Sequence, residues 1–133
     1  MRAMRERGSA STELMLLLPV LLLLLFGALE MARAASLRMA LGDGAWRAAR
    51  YLSVVAPADD AGAVQIVRDA VAVGALGGDP SSVVVVVTDD GGRSFGHVVT
   101  VRAEAEFCPA VPFLAPGCVT LRAAHSLMVE AWP

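Results

Sequence analysis

The sequence predicts an α+β chain in which one long N-terminal helix, transmembrane in its first half, packs with a small antiparallel β-sheet domain. Three observations predict this. Residues Leu14 to Leu29 form a stretch of 16 residues without a charge. Beyond it, Ala34, Leu37, Leu41, Ala45, Ala48 and Leu52 recur at three- and four-residue steps, the period of a helix face. Near the other end, Val99, Val101, Ala103, Ala105 and Phe107 alternate with Thr100, Arg102, Glu104 and Glu106, the period of a half-solvated strand.

The apolar run is close to the length of a membrane span, which needs about 20 residues. Its flank sets the orientation. Arg2, Arg5 and Arg7 precede it, opposed only by Glu6. That excess of arginine holds the N-terminus in the cytoplasm and sends the rest across the membrane. The chain as a whole has 11 basic and 13 acidic side chains in 133 residues, a formal charge of −2. No basic field points to nucleic acid. The part beyond the span, roughly a hundred residues, is enough for one small core.

Glu13 sits at the edge of the leucines. A secretory signal peptide accounts for it poorly, because "ALEMARAA" offers only Ala32 and Ala34–Ala35 as a weak cleavage site. A cut between Gly8 and Ser9 accounts for it better. Glu13 then becomes the fifth residue of the product, and Ser9 carries a new ammonium. That ammonium can pair with Glu13 of a neighbouring subunit inside an apolar bundle, offsetting desolvation and setting the axial register.

The helix is expected from about Ser11 to Val55, roughly 65 Å at 1.5 Å per residue. Pro19 removes one internal hydrogen bond, which spans tolerate. Asp43 and Arg47 form a favourable i,i+4 pair. Gly42 and Gly44 mark either a kink or a close approach to another helix. Trp46 is expected in the core, with a membrane-interface anchor as the alternative, and Pro57 ends the helix. In the outer domain, Asp60 is expected to cap a helix from Ala61 to about Leu76, with Val64, Val67, Val71 and Ala75 as its packing stripe. "GGDPSS" reads as a turn, "VVVVVT" as a buried strand that is either central or an edge, and "DDGG" as a hairpin turn. The last strand, Val119 to Val129, turns Val119, Leu121, Ala123, Leu127 and Val129 inward.

Cys108 and Cys118 are the only two cysteines, and both lie on the oxidising side of the span. A disulfide between them pins the loop joining the last two strands, contributing about 2–4 kcal/mol. The loop is apolar, with Val111, Pro112, Phe113 and Leu114, and either folds back on the sheet or contacts a neighbouring subunit. The sequence carries no nucleophile elbow, phosphate loop or metal-ligand spacing. His97 reads as a surface residue and His125 as a core or rim residue. No catalytic role, cofactor or metal is expected.

The stretch "RGSASTELMLLLPVLLLLLFGALEMARA", followed by "ALGDGAWRAARYLSV", resembles the TadE-like pseudopilins of tight-adherence pilus systems. The resemblance rests on Gly8, Ser9 and Glu13, on Pro19 within the leucines, on the step from Glu30 to Ala34, and on Ala48 to Tyr51. It implies a pilin-like fold and a minor pilin or pseudopilin, cut after Gly8 by a prepilin peptidase. The implied partners are other pilin or pseudopilin subunits, an inner-membrane pilus assembly platform and the lipid bilayer. The chain then divides into a leader (1–8, removed), a transmembrane helix (9–32), its amphipathic continuation (33–56) and an extracytoplasmic α+β domain (57–133). The expected location is the bacterial inner membrane, with the C-terminal domain periplasmic or carried into a surface pilus. The alternative is a single-pass scaffold or binding component of an assembly complex that never polymerises.

Overall fold

Helix α1 runs without a break from Ala3 to Val54, through Pro19. The computed structural model describes residues 3–55, 57–111 and 117–130, with side chains from residue 12 onward. The helix starts earlier than the apolar pattern suggests, because the basic leader residues are themselves good helix formers. At its other end the Val55 amide bonds to the Tyr51 carbonyl at 2.9 Å. Pro57, two residues on, has no amide to continue the ladder.

The upper half of α1 is the spine of the domain. Leu37, Ala40, Leu41, Ala45, Ala48, Ala49 and Leu52 are buried. Alanines dominate this face, and they let neighbouring backbone come close. Closest is Gly44, where an added Cβ would stand 3.0 Å from the Cα of Val67. Of the two roles open to these glycines, Gly44 therefore takes the close approach, whereas Gly42 faces open space. The same geometry corrects the expectation for Trp46. It is 50% exposed, because the face that meets the domain has room for glycine and alanine but not for an indole.

Helix α2 spans Asp60–Gly74. Its cap is Asp59, not Asp60. One Asp59 oxygen accepts the Gly62 amide at 2.9 Å, and the other accepts the Tyr51 hydroxyl at 2.7 Å. The Tyr51 hydrogen bond, then the Gly62 amide, hold the Asp59 carboxyl below its ordinary pKa. Asp60 is used differently, as an acceptor for Arg93. Arg93 also bonds Asp89 at 3.2 Å and the Pro57 carbonyl at 3.3 Å. One guanidinium thus ties the turn between the helices to the loop between the first two strands. The buried stripe of α2 is Ala63, Val67 and Val71. Ala63, four residues before Val67, takes the place expected of Val64, which is half-buried. The helix stops at Gly74, short of Leu76, and the Leu76 amide bonds to Ser36 Oγ at 3.0 Å.

A 3₁₀ turn at Pro80–Ser82 leads into the sheet. Its strands are β1 (Val84–Asp89), β2 (Val98–Phe107) and β3 (Val119–Met128). They form an antiparallel sheet in the order β1-β2-β3 among the described residues. Val99, Val101, Ala103 and Ala105 of the central strand are buried on the helix side. The other face is polar: Arg122 pairs with its register partner Glu104 at 3.2 Å, and Thr100 with Ser126 at 2.8 Å.

Two expectations change here. The valine-rich strand is an edge rather than a buried strand, with Val84 and Val86 exposed while Val85 and Val87 are half-buried. His125 does lie opposite Val101 on the helix-side register, yet it is exposed. Strand β3 is the other edge, and His125 lies on it. His97 sits beside Asp90, its Nδ1 3.1 Å from the carboxylate.

The two glycines make opposite predictions. Gly44→Val should destabilise the full-length, detergent-solubilised protein by about 1–3 kcal/mol, because helix α2 must back away. Gly42→Ala, which meets nothing, should stabilise it by ~0.5–1 kcal/mol through helix propensity. Urea unfolding midpoints of the two variants check both signs.

Candidate functional site: the apolar stem and its junction

The lower half of α1 is a bare apolar cylinder. Leu16 is 76% exposed, Leu21 64% and Leu22 40%, so side chains all around the axis lack cover from the chain itself. A leucine in this state forgoes about 1.5–3 kcal/mol of burial in water. Across 16 uncharged residues that is a strong drive toward lipid or toward other apolar helices. The helix is long and apolar enough to cross a membrane, and it is the single described helix that is. Glu13 stands exposed at the start of this cylinder. Gly8 and Ser9 lie five and four residues before it along the same helical backbone, with side chains outside the described residues.

At the opposite end of the cylinder stands Glu30, and here the structure brings together residues far apart in sequence. One Glu30 oxygen pairs with the Arg33 guanidinium at 3.1 Å. The other accepts the backbone amide of Ala110 at 3.1 Å. The Glu30 side chain is left only 12% exposed. Arg33 in turn lies over the ring of Phe107, its guanidinium carbon 5.7 Å from the centroid. One turn up, Ser36 donates to the Arg33 carbonyl at 2.9 Å and accepts from Leu76. Glu30, Arg33 and Ser36 thus clamp both the end of β2 and the exit of α2 to the stem.

Cys108 and Cys118 form a disulfide, with Cα atoms 4.2 Å apart. The bridge follows β2 directly and precedes β3, so it closes the loop that Glu30 holds. Residues 112–116 lie outside the described residues, and with them the question of whether Pro112, Phe113 and Leu114 fold back or face a neighbour. Val111 is half-buried. Glu30 opens the step to Ala34 in the sequence, but nothing there pairs it with Ala110, eighty positions away. The one cue was the placement of an acid directly after the apolar run.

Among the described residues, one cluster has metal-ligand atom types close together: Glu106, Cys108 and Cys118. Both sulfurs are already spent in the disulfide, so it offers a cation one carboxylate. No catalytic motif accompanies the stem, whose chemistry is that of burial and charge pairing.

Removing the Glu30 acceptor by Glu30→Ala should release the β2–β3 loop. A hydrogen bond to a charged group contributes about 1.5–3 kcal/mol, so the Ala110 amide should exchange with deuterium about tenfold faster or more, while amides of β2 keep their protection.

The geometry describes an apolar helix with an acid at each boundary and a small disulfide-closed domain clamped to its upper half. No curated protein and no solved structure matches the chain. Residues 8–50, from the glycine before the span through most of the helix face that packs on the domain, match the family described as TadE-like protein.

Proposed function

We propose that this chain is a minor pilin or pseudopilin of a tight-adherence-type pilus. In this reading a prepilin peptidase removes residues 1–8. The product sits in the bacterial inner membrane, N-terminus cytoplasmic and domain periplasmic, until an assembly platform draws it into or beneath a filament. The observation that carries the reading is the exposed apolar cylinder with Glu13 at its start, inside a stretch, residues 8–50, that matches the TadE-like family.

The mechanism is one of exchange between two apolar surroundings. In the bilayer, leucine side chains contact lipid. In a filament, they contact the same cylinder on neighbouring subunits, with no return to water. Such packing is non-directional, so a directional contact has to set the register. The new ammonium at Ser9 and the carboxylate of Glu13 supply one when they belong to different subunits. Without cleavage the amine is eight residues further out, on a leader carrying three arginines, and the pair does not form.

The mature N-terminus is the test. Mass analysis should give a start at Ser9 in cells that have the peptidase and at Met1 in cells that lack it. A start at Met1 in both would leave the chain a single-pass scaffold of an assembly complex. Given cleavage, Glu13→Ala should insert and be cut normally, yet filament yield should drop by about tenfold or more. A bare ammonium in an apolar bundle costs about 3–5 kcal/mol. Normal yield would refute the pairing.

A further inference from the structure

We propose that the free edge of β1 takes up an extended, acidic strand from a protein other than this chain. The inference goes beyond the pilus reading and stands whether or not the chain enters a filament. Backbone, side chains and charge at this edge each point to it.

The backbone comes first. Strand β1 ends the sheet among the described residues. Just past it, the Asp90 amide donates to the Val98 carbonyl at 3.3 Å. Backbone groups alternate sides along an antiparallel strand. Thr88, Val86 and Val84 therefore point their amides and carbonyls at β2, whereas Val85 and Val87 point theirs outward. No described residue takes up these outward groups. They recur at every second residue, the repeat of a neighbouring strand.

The side chains suit the same use. Val84 is 59% and Val86 45% exposed on the solvated face, and Val85 and Val87 are half-buried on the helix side. An added strand covers valine on both faces while it pairs with the backbone.

Charge selects which strand. On the solvated face, Val86 has Arg102 as its register partner, exposed and with no ion pair among the described residues. Its neighbour Glu104 is taken by Arg122. On the helix side, α2 approaches β1. Arg68 lies on the flank of α2 that carries Val71 and Ala75 against Gly78, at the entry to the sheet. The opposite flank, with Asp69 and Val73, lines the groove against α1. Arg68 Nε is buried without a hydrogen-bond partner, and buried donors are ordinarily paired. Each face of the edge thus presents a guanidinium that no carboxylate answers. A second copy of β1 does not answer them either. Val84 to Thr88 carry no charge. The carboxylates that follow are engaged, Asp89 by Arg93 and Asp90 by His97 and the Val98 amide. An acidic strand from another protein satisfies backbone, valines and both guanidiniums together.

The test uses the full-length protein in detergent and a synthetic peptide of valines and threonines. The peptide carries two glutamates an odd number of positions apart, so that one points to each face. Amide exchange is read residue by residue by NMR, with peptide up to about 1 mM. The Val85 and Val87 amides should exchange about tenfold slower or more. Those of Val84 and Val86, already bonded within the sheet, should change less. Arg102→Gln and Arg68→Gln should each weaken binding about threefold, and the same peptide with lysines for glutamates should not bind. Unchanged exchange at Val85 and Val87 overturns the proposal, as does equal binding of the lysine peptide. Protection of these two amides in the free protein, growing with its concentration, shows a second copy on the edge and overturns it too.

Discussion

One continuous helix has to satisfy two different surroundings, and the position of the change determines where everything else can sit. Below Glu30, α1 presents large apolar side chains all around its axis. Above it, the same helix offers a face of alanines, leucines and Gly44 to α2 and the sheet. The backbone is indifferent to the change, since its hydrogen bonds are internal in either setting. Only the side chains register it. An unbroken helix therefore links the apolar cylinder to the domain, and no break is found between them among the described residues.

The seam is held by charge. Glu30 would be costly at a lipid boundary if left bare. It is instead shared between Arg33 and a backbone amide from the far end of the chain, and it converts that cost into a positional constraint on the β2–β3 loop. Ser36 does the same for the exit of α2 without charge, by capturing the Leu76 amide. Above these contacts, the Tyr51–Asp59 and Arg93–Asp60 bonds hold the upper end of the domain. The small core thus has a fastening at each end of its spine.

The sheet has one face buried against the helices and one solvated face. Its two edges differ. Strand β1 carries exposed Val84 and Val86, whereas β3 carries Arg122 on the solvated face. Unpaired edges of this kind favour addition of another strand unless charge or curvature opposes it. Here the neighbouring Arg102 and Glu104 supply charge on the same face as the two valines.

The sequence by itself determined every element whose signal is local. The long helix, the period-two strand from Val99 to Phe107 and the pairing of the only two cysteines all follow from periodicity, composition or count, which neighbouring residues supply. It also identified the two glycines as special, but not which one touches a helix. Only the tertiary structure decided that Gly44 meets Val67, that Trp46 faces outward and that "VVVVVT" is an edge. It also decided that Asp59 rather than Asp60 caps α2, and that Glu30 holds Ala110. The cap turns on which of two adjacent aspartates meets the Gly62 amide and the Tyr51 hydroxyl; the others depend on residues far away in the chain, and a residue's own propensity carries no information about a surface that exists only after folding.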